Sequence, residues 1–261
     1  MKTLPPGSIQ WVVTFCIALN LFSLHSNAQA PDSETPFEEW SLRSASRFQF
    51  EDPFDTEGSQ VAVSDPIEPI NRKLYQFNDR VYYWLLTPTA KSYSRVLPEP
   101  TRVSIRMFFE NVRAPVRAAN CLFQGKLKGA GREASRFVIN STIGIGGLFD
   151  PAGYWRIEGQ DEDFDQTLGY HGVPAGPYIH WPIFGPSSVR GTIGRVGDAF
   201  LNPLFLVGIP TPVSLGIAVH ERVNSTSLSL GDYERLTDSA LDPYLSIRNA
   251  YFQNREKRIQ D

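Results

Sequence analysis

Gly144, Gly146 and Gly147 stand close together in "NSTIGIGGLFDPAG" (140–153), and a glycine-rich turn of this kind can bring backbone N–H groups onto a phosphate. The spacing argues against that use. A dinucleotide loop needs G-x-G-x-x-G after a strand, and Phe149 stands where the third glycine belongs. A P-loop ends in Gly-Lys-Ser/Thr, but no lysine or arginine lies between Arg136 and Arg156 to meet phosphate charge. The preceding "REASRFVIN" reads as helix rather than strand. What the glycines supply is a tight turn with positive φ angles and apolar spacers.

Other reactive residue types are equally sparse. Asp161, Asp163 and Asp165 have the one-three-five spacing of a calcium loop, yet Gln166 replaces the turn glycine and Gly172 the bidentate glutamate. A solvated acidic loop is expected. The histidines beyond His25 are His171, His180 and His220, with no H-E-x-x-H pair. No G-x-S-x-G elbow occurs, and Ser187-Ser188 after a Gly-Pro step read as a helix cap. Cys121, in "AANCLFQG", reads as a buried small hydrophobe. No nucleophile, base and orienting group come together, so neither an enzyme nor a cofactor is expected. A net charge of −3 advertises no nucleic-acid partner.

The elements around these residues are short. Lys2 precedes an uncharged run with the apolar core "WVVTFCIALNLF", which ends at Ala28-Gln29-Ala30. That run is too short for a comfortable membrane span and predicts a signal peptide over 1–30, cleaved after Ala30. Phe15 before Cys16 makes a poor lipoprotein signal, which leaves an acyl anchor in doubt. Residues 31–64 carry a net charge of −6 and no periodicity, the signature of a disordered leader. From 65 onward 22 basic residues face 20 acidic ones.

This body, 65–261, reads as mostly α. Ile70, Leu74, Phe77, Val81 and Leu85 trace one helical face, closed by Pro88. Thr101 is expected to cap a second helix, and Pro115 to start or kink a third that ends at Gly125. A fourth runs from Gly131 to Thr142 with Ala134, Phe137 and Val138 inward. A short strand is expected in "YIHWPIF". A helix capped at Pro186-Ser187 carries Val189, Ile193, Val196 and Phe200 on one face, and two further helices close the chain. No repeat is visible. Such amphipathic faces suit either a soluble core or a membrane interface.

Four long motifs resolve that choice. "DPIEPINRKLYQFN" (65–78), "FQGK" (123–126) with "RFVINSTIGIGGLFDPA" (136–152), "DFDQTLGYHGVPAGPYIHWPIFGPSSVRGTIGRVGD" (163–198) and "DPYLSIRNAYFQ" (242–253) resemble, in unbroken order, the MlaA (VacJ) family of outer-membrane lipid-asymmetry proteins. The resemblance implies a ring of short amphipathic helices lying in the membrane interface around a polar channel, on the periplasmic side of the outer membrane. It implies removal of misplaced phospholipid from the outer leaflet and its transfer to a periplasmic lipid carrier, beside a trimeric porin, with no bond broken. Asn71, Arg72, Asn78, Asn140 and Asp150 become candidates for lining or bracing the channel, and Gly144, Gly146 and Gly147 for a pliable hinge beside it. On that view Gly146→Pro or Gly147→Val should stop lipid removal without unfolding the protein. The rival expectation is a soluble periplasmic helical scaffold.

Overall fold

The computed structural model describes residues 64–238 and 240–260, so the expected signal segment and nearly all of the acidic leader lie outside the described residues. Helix α1 (Glu68–Val81) begins with Pro69 in its first turn, where a missing N–H is harmless. It does not stop at Pro88. The chain widens into a π-helical turn, Tyr82–Leu86, and resumes as α2 (Thr87–Val96). Thr87 N–H reaches back five residues to the Tyr82 carbonyl, which gives Pro88 a first-turn position in α2. The Thr89 hydroxyl satisfies the Leu85 carbonyl at 2.6 Å.

Helix α3 (Glu99–Phe123) also overrides a proline. It runs through Pro115 for 25 residues, about 38 Å at 1.5 Å per residue. It packs on α4 (Leu127–Thr142) and on α9 (Thr211–Leu228), and that packing outweighs the roughly 3 kcal/mol an interior proline costs. Its N-cap is Pro98 rather than Thr101. Gly125, at φ +74°, makes the turn into α4.

Beyond the glycine turn come α5 (Pro151–Tyr154) and α6 (Phe164–Tyr170). A hairpin follows, β1 (Tyr178–Trp181) against β2 (Gly185–Ser188), with Tyr178 opposite Ser188 and Trp181 opposite Gly185. Pro186 and Ser187 therefore belong to β2, and it is Ser188 that caps α7 (Val189–Leu201), accepting from Gly191 N–H at 3.0 Å. Short α8 (Pro203–Leu206), then α9, α10 (Asp232–Asp238) and α11 (Pro243–Gln260) complete the order.

Two expectations about burial are corrected. The acidic run is solvated only at its start: the Asp161 side chain, paired with Arg258, is 78% exposed, but Asp165 is 2% exposed and accepts from Arg190 Nε at 2.7 Å, and Arg255 pairs with Asp163. Asp163 also caps α6 in a reciprocal capping box with Gln166.

The second correction concerns helix faces. Ala134, Phe137 and Val138 point outward, and the buried side of α4 carries Glu133 and Asn140. In α1, Ile70 and Phe77 are exposed while Asn71 is wholly buried. Val189, Ile193, Val196 and Phe200 of α7 are all exposed, whereas Arg190 is buried. Among the described residues, 22 buried polar or charged side chains accompany only 13 buried hydrophobic ones, and 32 large hydrophobic residues are exposed. A water-soluble core sorts side chains the other way. The compact apolar cluster is aromatic: Tyr178, Tyr244 and Phe252, with Tyr75, Leu245 and Tyr251 against it. No helix of the described residues is long and apolar enough to cross a membrane.

Candidate functional site

Asn71 and Asn78 lie seven residues apart on α1, hence on one face, and both grip the hairpin. The Asn71 amide donates to Asp65 Oδ1 (2.8 Å) and to the Tyr178 carbonyl (3.0 Å), while its oxygen accepts from His180 N–H (2.9 Å). Asn78 repeats the clasp at the hairpin tip, donating to the Trp181 carbonyl (2.8 Å) and accepting from Ile183 N–H (2.7 Å). Arg72 turns the other way, donating to Glu68 (2.7 Å) and through two nitrogens to Asp242 (2.8 and 3.2 Å), with its guanidinium over the Tyr244 ring at 4.5 Å. Those carboxylates drive the Arg72 pKa further up and secure the start of α11 to α1. All three residues brace α1 against distant segments.

His180 sits behind the clasp, 2% exposed, with Nδ1 2.8 Å from the Tyr178 hydroxyl and Nε2 without a hydrogen-bond partner. Burial pushes its pKa down to about 4, because a second proton would be an unpaired buried charge. A histidine whose folded pKa lies below its unfolded value contributes stability that is complete above the unfolded value and lost as pH falls toward the folded one. Urea unfolding should therefore show a loss of about 2 kcal/mol between pH 7.5 and pH 5 that is absent from His180→Asn. Equal pH slopes in the two proteins would refute this assignment.

The glycine turn is built on the other end of the molecule's helical hairpin, α3–α4. Asp150 is its anchor. Its carboxylate accepts from Asn140 Nδ2 (2.8 Å), Arg136 Nη2 (2.9 Å) and Gly153 N–H (2.9 Å), so it caps α5 and ties that helix to α4. Burial raises its pKa, but the Arg136 charge and these hydrogen bonds prevail and hold it below the usual carboxylate range. Asn140 closes the loop by accepting from Ala152 N–H at 3.1 Å.

Between Asn140 and Asp150 the chain winds tightly. Gly146 N–H donates to the Ser141 carbonyl, Gly147 N–H to that of Asn140 and Phe149 N–H to that of Gly144, at 2.8–3.0 Å. Gly144 permits close packing, since a Cβ there would lie 2.4 Å from the Phe149 carbonyl oxygen. Gly147, at φ +94°, has the Asn111 Cβ only 2.5 Å from where its own would be. Gly146 differs from both: φ is +70°, but the space around it is open. Ile145, flanked by these glycines, also has positive φ (+52°), unfavourable for a β-branched residue, and is 62% exposed.

A third polar group went unread in the sequence. Asn120 and Gln124, four residues apart at the C-terminal end of α3, face α6 and α7. Gln124 donates to Glu162 (2.8 Å), which Lys126 also pairs (2.8 Å), and Asn120 donates to Asp198 (2.9 Å) while accepting from Thr167 (2.9 Å). Burial raises the Asp198 pKa to about 6. Glu133, fully buried, accepts from Arg117 Nε (2.8 Å) and Gln160 N–H (2.6 Å). The i, i+4 repeat of amides in "NCLFQ" was the available signal. Cys121 between them is buried, and burial pushes its thiol up to about 11, so it stays protonated. The clasp on α1, the glycine turn and this seam each join polar groups from separate segments inside helices whose apolar sides face out.

Relatives share this chain over most of its length. The family model described as MlaA lipoprotein matches residues 63–258. The intermembrane phospholipid transport system lipoprotein MlaA of Escherichia coli (strain K12) is 32% identical over 201 residues, covering 76% of this chain and 79% of that protein. Its namesake in Haemophilus influenzae is 33% identical over 202 residues, covering 76% and 80%. An uncharacterized protein of Rickettsia felis is 32% identical over 205 residues, covering 78% and 81%. A solved structure concerned with the structural basis for maintenance of bacterial outer membrane lipid asymmetry superposes with a TM-score of 0.67 at 32% identity, covering 75% of this chain and 99% of that one. From the four motifs, the helical order and these matches together, the chain belongs to the MlaA lipoprotein family.

Proposed function

We propose that this chain is the outer-membrane component of a phospholipid-trafficking system. It withdraws misplaced phospholipid from the outer leaflet and hands it to a periplasmic carrier, so that lipid asymmetry is maintained. The observation that carries this reading is the sorting of side chains: polar groups fill the interior and apolar faces of α1, α4, α7 and α9 look outward. Helices of this kind lie in the plane of a membrane interface with hydrocarbon against the apolar face, while the polar interior offers a passage to a headgroup. The names of the E. coli and H. influenzae relatives point to the same activity. A soluble scaffold, by contrast, would leave those faces in water.

Further parts of the proposal rest on the family relation. A signal over 1–30 exports the chain, the 31–64 leader precedes the helical body at 65–261, and that body sits on the periplasmic side beside a trimeric porin. The process breaks no bond. Asn71, Arg72, Asn78, Asn140 and Asp150 brace the wall of the passage, and the turn at Gly144, Gly146 and Gly147 is its movable part. The test is deletion of the gene, followed by complementation and an assay of phospholipid in the outer leaflet. Deletion should raise outer-leaflet phospholipid severalfold and the intact gene should restore it. An unchanged outer leaflet after deletion overturns the proposal.

A further inference from the structure

An open groove of about 360 Å³ runs along the outside of α7, between the hairpin and α8. Its walls are Trp181 and Phe184 of the hairpin, Val196, Ala199 and Phe200 of α7, and Phe205 of α8. Phe200 and Phe205 meet edge to face, 5.3 Å apart, and Trp181 is fixed over the other wall by its Nε1 donating to Thr192 at 2.9 Å. The Thr192 hydroxyl in turn donates to the Ser188 carbonyl at 2.8 Å. The threonine is thus spent on structure, and the groove's remaining polar group is the Arg195 guanidinium.

Among the described residues Arg195 makes one hydrogen bond, from Nη2 to the Pro186 carbonyl at 2.9 Å, and no ion pair. The neighbouring carboxylates are occupied elsewhere: Asp165 by Arg190 and Asp163 by Arg255. An arginine held at the edge of an apolar groove, with no carboxylate of the described residues in ion-pair contact, is complementary to one phosphate with hydrocarbon attached. The volume lies at the lower end of the range for ligand sites, enough for part of one acyl chain.

We propose that this groove is a binding site for a single phospholipid, one acyl chain lying along Val196, Ala199 and Phe200 and the phosphate on Arg195. The site lies on the outside of α7, and its assignment rests on the lipid-trafficking reading above. It gives the chain a place to hold a lipid taken from the surrounding leaflet.

The test is native mass spectrometry of the full-length protein in detergent, titrated with phosphatidylglycerol and separately with diacylglycerol of the same chains. Wild type should bind one phosphatidylglycerol about tenfold more tightly than diacylglycerol. Arg195→Gln should lose that preference and keep its melting temperature, since a single surface hydrogen bond is removed. Ala199→Phe, which fills the floor, should lose the bound lipid altogether. An unchanged lipid count in both variants overturns the site. So does loss of porin capture in Ala199→Phe with lipid binding intact, which would make the groove a protein contact. Complementation by wild type in the deletion strain reads the trafficking role separately: if it restores asymmetry while the lipid count is unmoved by either variant, the groove alone is wrong.

Discussion

Asp150→Ala should destabilise the protein by about 3–5 kcal/mol, the usual cost of removing one partner of a buried ion pair. Three donors lose their acceptor at once: Arg136 Nη2, Asn140 Nδ2 and Gly153 N–H. Arg136 and Asp150 side chains are each only 11% exposed, so water does little to replace the bond. Arg136 would keep its hydrogen bond to the Ile157 carbonyl at 2.5 Å, an acceptor without charge. The asparagine variant sharpens the expectation. It keeps the shape and an oxygen for Gly153 but removes the charge, and should recover only part of the loss.

Acid should imitate the mutation late. A carboxylate whose folded pKa is depressed contributes stability above its unfolded value and loses it as pH falls through the folded one. For Asp150 that window lies at and below the ordinary carboxylate range. Melting curves of wild type and Asp150→Ala should therefore differ by roughly 10 °C at pH 7 and converge only in strong acid. A mutant that melts within about 2 °C of wild type at pH 7 would remove Asp150 from the role of anchor. Arg136→Met combined with Asp150→Leu should restore much of the lost stability, because no buried charge is then left unpaired.

How much of this was legible in the sequence depends on the distance between partners. Helix existence and order follow from apolar spacing, whereas Asn71, Asn78, Asn140 and Asp150 became candidates only through the family resemblance. Direction did not follow. The spacing of Ala134, Phe137 and Val138 locates a stripe but is silent on whether water, protein or lipid meets it, and the buried side proved to be that of Glu133 and Asn140. Pro88 failed as a stop signal and Pro115 as a helix start, for different reasons. A π-turn absorbed the first, and the packing of α3 on α4 and α9 outweighed the second. The Arg117–Glu133 and Gln124–Glu162 pairs, 16 and 38 residues apart, have no local signature. The acidic run looked solvated because its arginine partners come from α7 and α11, far along the chain.

The glycine turn carries the second large expected effect, and here the structure changes which variants are informative. Gly147→Val should cost roughly 3–5 kcal/mol, from a β-branched residue forced to φ +94° and from overpacking. The clash partner cannot retreat: Asn111 is 6% exposed and its amide is held by the Ser141 hydroxyl at 2.9 Å. Gly146→Pro is no milder, because proline removes the N–H that bonds the Ser141 carbonyl and demands negative φ where the chain has +70°. Both variants should therefore destabilise the fold, where the sequence led to the expectation of lost lipid removal without unfolding. Gly146→Ala is the variant that isolates motion. Its Cβ meets nothing within 4 Å, so the cost is limited to about 1 kcal/mol of left-handed strain. If the turn must move for lipid to pass, Gly146→Ala stiffens it and should raise outer-leaflet phospholipid while the melting temperature falls by only about 4 °C. Gly147→Val should lose both stability and lipid removal together. A Gly147→Val protein that melts like wild type would contradict the packing argument, and a Gly146→Ala strain with a normal outer leaflet would show that the turn works as a rigid wall.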